Sequence, residues 1–190
     1  MPIRFRHDRP SPRVIVLTGE KGAGKTSLVR SVLAHVRCAV GGFFTKAVCA
    51  SGHRLGYEIV DVQTGERMLF ARRVPGSRAP RGGPFTVDSG VFDFFGTQIV
   101  ERAQRHADLV VMDEIGCMER DSLLFQEAIW TCLTSGVPTI AVVQMGECPF
   151  VQKLMASFKS HLLRVPAGEE ERIRAQVFTR LKQWGVPTDD

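Results

Sequence analysis

Residues 19–26 read Gly-Glu-Lys-Gly-Ala-Gly-Lys-Thr and fit the pattern GxxxxGK[ST] in full. The spacing is that of a loop built to hold phosphate. Glycines let the backbone curl until successive N–H groups point inward at an anion. The lysine, Lys25, then reaches the β- and γ-phosphates, and the Thr26 hydroxyl ligates Mg²⁺. Ser27 is placed to touch the α-phosphate. The phosphate-contacting set is therefore Gly19, Glu20, Lys21, Gly22, Ala23, Gly24, Lys25, Thr26 and Ser27.

A second set of chemistry-bearing residues lies at Asp113-Glu114, ending the apolar run Leu109–Met112. Acids at the carboxyl end of a buried strand stand on the edge where open α/β sheets bind ligands. Asp113 is the expected Mg²⁺ partner beside Thr26, and Glu114 the group that orients or deprotonates an attacking water. An acid free for water favours hydrolysis over transfer to an acceptor. No NKxD segment occurs anywhere in the chain, so nothing supports strict guanine selectivity.

These residues need particular elements under them. Val14–Leu17 is a short continuous apolar run rich in β-branched residues, the mark of a buried strand. After the glycine loop, Leu28, Val29, Val32, Leu33 and Val36 form one helical stripe. Residues 40–71 break into short runs at Ser51-Gly52 and Thr64-Gly65, which predicts antiparallel strands near 42–48, 55–62 and 67–71. Residues 72–84 read as a loop, carrying Arg72, Arg73, Arg78 and Arg81 as a candidate lid over phosphates. A brief strand at 85–87 and a helix from Asp88 or Ser89 to about 106 follow. Then come the acidic strand, a helix over about 122–134, the strand Thr139–Val143, a helix near 150–158, a strand at 161–165 and a helix near 168–183. The expected fold class is α/β: a mostly parallel central sheet with helices on both faces and an antiparallel, hairpin-rich insertion. Residues 1–13 read as a flexible basic arm and 14–190 as one domain.

Four segments together resemble the small nucleoside-triphosphatase family first defined in thermophiles, also called cancer-related nucleoside-triphosphatases. They are TGEKGAGKTSLV, GGFFTKAVCASGHRLGYEIVD, FTVD and DLVVMDEIGCMERDS followed by Phe125. The resemblance implies a P-loop NTPase fold and an Mg²⁺-dependent enzyme that hydrolyses the γ-phosphate of several nucleoside triphosphates. It places Arg54 and Glu119 on motif positions. Arg54 becomes a candidate arginine finger supplied in cis, and Glu119 a candidate hydrogen-bonding group of the active-site turn. Ala47 and Cys49 stand where the family usually carries an acid and an arginine, and Phe85 where it carries a tyrosine. A small-molecule or nucleotide kinase and a slowly hydrolysing, nucleotide-dependent binding or assembly module are the alternatives to a hydrolase.

Composition narrows the partners. The chain has 190 residues, 44% hydrophobic, with a formal charge of +5. Residues 1–13 and 72–81 hold more than that whole excess, so the rest of the chain is mildly acidic. This argues against nucleic acid as a partner and leaves a protein partner open. No run of about 18 apolar residues exists to span a membrane, and the N-terminus lacks the apolar core of a secretory signal. Five cysteines at odd count, with no CxxC pair, predict reduced thiols, no disulfide and a cytoplasmic setting. Most of Phe43, Phe44, Phe92, Phe94 and Phe95 are expected in the core. The five histidines show no ligand spacing.

Overall fold

The computed structural model describes residues 11–74 and 85–189. Eight strands form one sheet in the order β5-β4-β3-β2-β6-β7-β1-β8. The strands are β1 (Val14–Thr18), β2 (Val40–Ala50), β3 (His53–Asp61), β4 (Arg67–Arg73), β5 (Phe85–Val87), β6 (Leu109–Ile115), β7 (Thr139–Val143) and β8 (Leu162–Arg164). Strands β2, β6, β7, β1 and β8 run parallel, and β2 through β5 form an antiparallel extension. The sheet is thus the expected one. Its parallel part needs crossovers, and these are the helices that cover it.

Apolar residues on alternate positions of the parallel strands serve two cores. Ile15, Leu17, Leu109, Val111, Ile140 and Val142 face α1 (Lys25–Leu33) and α6 (Glu170–Gln183). Val14, Val16, Val110, Met112, Ala141 and Val143 face the other layer, with α3 (Thr97–His106), α4 (Leu123–Thr134) and α5 (Pro149–Ser157). Strands buried on both faces read as continuous apolar runs for this reason.

Four expectations are corrected. Arg72 and Arg73 are not loop residues: they extend β4 and pair with Thr86 and Phe85 of β5. Arg78 and Arg81 lie outside the described residues. Arg13 is not part of a free arm: its guanidinium donates to the carbonyls of Gly136 and Trp184, and its own carbonyl accepts from Thr139. The rest of the arm, 1–10, lies outside the described residues. The helix after Asp88 runs unbroken to His106 but is not a regular α-helix throughout. It opens as α2 (Ser89–Val91), capped by the Asp88 carboxylate on Gly90 N–H, widens into a π-turn over Phe92–Gly96, and resumes as α3. The π-turn seats Phe92 against Phe70 and Phe125, with ring centroids 4.5 and 5.1 Å away. Phe43 and Phe92 are fully buried, whereas Phe94 is exposed.

The fourth correction concerns the thiols. Cys117 and Cys148 are disulfide-bonded, with Cα atoms 5.6 Å apart. Cys38, Cys49 and Cys132 are free. The two bonded residues are 31 apart in sequence, and only the approach of the β6 turn to the start of α5 brings them together.

Candidate active site

The loop between β1 and α1 carries the phosphate pattern. Gly24 sits at the N-cap of α1 in the left-handed region, φ 77°, which favours glycine. Gly19 leaves β1 so close to β8 that a Cβ there would stand 2.5 Å from the Val165 carbonyl oxygen. Lys25 is buried, and its Nζ donates to the carbonyls of Gly19 and Glu20 at 2.9 and 2.8 Å. The ammonium is therefore folded across the mouth of its own loop, held by two acceptors that a phosphate oxygen could replace.

Strand β6 brings Asp113 opposite Thr26. The Thr26 hydroxyl donates to Asp113 Oδ1 at 3.2 Å, while the buried Oδ2 has no partner. Burial is the main reason the Asp113 carboxyl is pushed up to about 6. Glu114 adds to the shift, while the Thr26 hydrogen bond, Arg30 and Lys25 oppose it. A carboxylate oxygen stranded beside a hydroxyl is the donor set of a hard divalent cation that completes its shell with phosphate oxygens and water.

Glu114 follows on the same edge. Its N–H donates to the Thr45 hydroxyl at 3.4 Å, and its Oε1 accepts from the Gln144 amide. Gln144 comes from the end of β7, which the strand order inserts between β6 and the loop-bearing β1. The cleft enclosed by these elements has a volume of ≈ 560 Å³ and is lined by Lys25, Thr26, Ser27, Asp113, Glu114 and Gln144, among others. Gly19, Lys21, Gly22 and Gly24 line it too. Glu20 and Ala23 instead close the loop's turn, with Ala23 N–H donating to the Glu20 carbonyl.

Arg54 stands to one side. It lines an adjoining cavity of ≈ 140 Å³ that shares Lys21, Thr45, Tyr57, Glu114 and Gln144 with the main cleft. Its Nη1 donates to Tyr57 Oη at 2.8 Å, its guanidinium lies 5.4 Å from the Tyr57 ring centroid, and its buried Nε has no partner. Glu119 is buried beneath the turn after β6 and accepts from Gly116 N–H at 3.0 Å. Burial pushes its carboxyl up to about 7, with Glu114 adding to the shift and backbone hydrogen bonds opposing it.

Sequence reasoning passed over Gln144 and Tyr57 as functional residues. Tyr57 lies in the segment that carries the family resemblance, but nothing local pairs it with Arg54. The only signal for Gln144 was its place as the first polar residue after a buried strand.

A glycine loop opening a helix and an acid at the end of a parallel strand, with one strand between them, define a P-loop nucleotide-binding protein of the α/β class. A family model described as NTPase matches residues 14–178, and the chain belongs to that family of enzymes. The nucleoside-triphosphatase THEP1 of Methanopyrus kandleri is 37% identical over 178 residues, covering 91% of this chain and 97% of that protein. The THEP1 of Methanothermobacter thermautotrophicus is 34% identical, covering 73% of this chain and 80% of that one. Among solved structures, THEP1 from the hyperthermophile Aquifex aeolicus matches with a TM-score of 0.75 at 25% identity, over 89% of this chain and 99% of that one. A human cancer-related nucleoside triphosphatase matches with a TM-score of 0.67 at 26% identity, over 90% and 98%. Among the described residues no helix is long and apolar enough to cross a membrane.

Proposed function

We propose that this protein hydrolyses the terminal phosphate of nucleoside triphosphates, ATP and GTP among them, with Mg²⁺. The observation that carries the reading is the partnerless Asp113 Oδ2 next to Thr26, with Glu114 in the same cleft as the phosphate loop. The backbone amides of the loop and the N-terminal end of α1 bind the phosphate chain. Lys25 exchanges its two carbonyl acceptors for β- and γ-phosphate oxygens. Thr26 and Asp113 would hold Mg²⁺, whose charge neutralises the phosphate oxygens when bound. Glu114 accepts a hydrogen bond from the attacking water and draws its proton as the bond to the γ-phosphorus forms and the bond to the β–γ bridging oxygen breaks, the nucleoside diphosphate leaving with that oxygen. Gln144 holds Glu114 by one oxygen and leaves the other free to face the cleft. Arg54 supplies positive charge from the side cavity as charge develops on the transferring group.

Phosphate release should be measured with Mg²⁺ and ATP, GTP, CTP or UTP in turn, with the nucleotide products analysed. Glu114→Gln should lower kcat by about 10²–10⁴-fold while nucleotide binding survives. Undiminished turnover would remove Glu114 from its role. Transfer of the phosphate to an added acceptor in place of release would overturn hydrolysis itself.

A further inference from the structure

The bond between Cys117 and Cys148 has no part in phosphate chemistry, yet it sits against the residues that would hold the water. Cys117 lies in the turn that follows Glu114, and Cys148 is the N-cap of α5. The exposed run 144–147 joins β7 to α5 and leads directly into Cys148. This run is laced to the turn after β6 at three points. Gln144 N–H donates to the Ile115 carbonyl at 2.9 Å. The Gln144 amide donates to Glu114. Gly146 crosses the Cys117 sulfur so closely that a Cβ there would stand 2.9 Å from it. The disulfide is the covalent end of that lacing.

We propose that Cys117–Cys148 is a thiol-reducible control site: the disulfide clamps the 144–147 run onto the turn after β6 and keeps Gln144 on Glu114, and a dithiol reductant releases it and slows hydrolysis. The inference rests on the hydrolytic reading of Glu114 given above.

The two cysteines are placed beside solvent. Both line an open groove of ≈ 790 Å³ together with Phe85, Met118 and Glu147, and Cys117 is half-buried where Cys148 is 9% exposed. A thiolate of the dithiol attacks Cys117 Sγ from this groove. A mixed disulfide forms, the bond to Cys148 breaks, and Cys148 Sγ leaves as a thiolate. Its place at the N-terminal end of α5 favours that departure. The second thiol of the reductant then attacks its own bound sulfur and releases Cys117. The reductant becomes a disulfide, and the protein pair has gained two electrons and two protons. Cys148 Sγ stands 3.6 Å from the Gly116 carbonyl, an acceptor at hand for the thiol that reduction creates. A disulfide that lines an open groove, with one of its residues only half-buried, is placed like the labile, regulatory kind rather than the fully buried structural kind. Cys132 does not compete, being buried with its thiol pushed up to about 12. Cys49 is the exposed free thiol that a control must remove.

The test compares the purified full chain as isolated with the same chain treated with dithiothreitol. The thiol state is read by alkylation and peptide mass spectrometry, loop opening by amide hydrogen exchange, and kcat and KM by phosphate release. Reduction should remove the 117–148 cross-linked peptide, raise exchange over 144–148, and lower kcat about tenfold with KM for the nucleotide unchanged. Cys49→Ser should keep the full response. Cys117→Ser with Cys148→Ser should show the reduced kcat with or without dithiothreitol, and wild-type titration covers the case in which that variant folds poorly. Loss of the cross-link with no change in kcat overturns the proposal. So does an absence of the cross-link in protein treated with a small disulfide oxidant, or a response that persists in the double variant. Failure of hydrolysis in both redox states would instead refute the reading of the site, while the exchange measurement still reports on the clamp.

Discussion

Replacing Asp113 with asparagine should make the nucleotide-free protein more stable at alkaline pH while crippling its Mg²⁺-dependent turnover. The carboxyl is pushed from its ordinary 3.8 to about 6, chiefly by burial. A carboxyl with a raised folded pKa carries no penalty below its unfolded value, and the penalty grows as pH rises through about 4 to 6 and is complete above that. A shift of about two units corresponds to about 3 kcal/mol. In Asp113→Asn the new side chain keeps the acceptor for the Thr26 hydroxyl, but it turns the partnerless Oδ2 into a partnerless amide. That costs about 1 kcal/mol. The net gain at pH 8 is about 2 kcal/mol, or about 4–8 °C in Tm for a protein of this size. Urea unfolding of the two proteins at pH 4 and pH 8, without nucleotide, measures it. At pH 4 the carboxyl's penalty is nearly gone while the amide's cost remains, so the gain should give way to a loss of up to about 1 kcal/mol. With Mg²⁺ and a non-hydrolysable triphosphate the order should reverse, because only the carboxylate gains from the cation. A variant that is less stable than wild type at pH 8, or equally displaced at both pH values, would refute the claim that Asp113 is held as a costly buried charge for a cation.

Two further outcomes are expected. Glu119, pushed from 4.5 to about 7 mainly by burial, should make wild-type stability fall as pH rises from about 4.5 to 7, by about 3 kcal/mol. Glu119→Gln keeps an acceptor for Gly116 N–H and should remove that part of the fall, leaving the part owed to Asp113, read from urea midpoints across the range; an unchanged slope would show that Glu119 makes no contribution. Arg54→Ala should lower kcat by about 10³-fold with little change in nucleotide affinity, and Arg54→Lys should not restore it, since a point charge lacks the planar fork. Single-turnover kinetics with a binding titration check this, and an intact kcat would return Arg54 to a structural partner of Tyr57.

The parts of the site that could be read from the chain are those made by neighbours in sequence. The phosphate loop is one unbroken strand–turn–helix, so its glycines, Lys25 and Thr26 carry their own context. Asp113 and Glu114 end a run whose apolar residues announce burial. The hairpins at 51–52 and 64–65 announce themselves by their turn residues. Arg72 and Arg73 were misplaced because their charge and the following Pro and Gly outweighed a strand signal that depends on pairing with β5. The π-turn was missed because it answers to packing: Phe92 must meet Phe70 and Phe125, which come from two other elements. Cysteine count and spacing argued against a disulfide, and a 31-residue separation contains nothing to suggest one.

The sequence alone determined the class of chemistry, because a phosphate cradle and its lysine are built from consecutive residues and their local backbone preferences. Tertiary structure decided which groups stand around that chemistry. Placing β7 between β1 and β6 carries Gln144 to Glu114 and the α5 cap to Cys117. Folding the antiparallel extension over the same edge puts Tyr57 and Arg54 beside the cleft. Strand order follows from which apolar faces are buried together, and that is a property of the whole chain that no short stretch of residues contains.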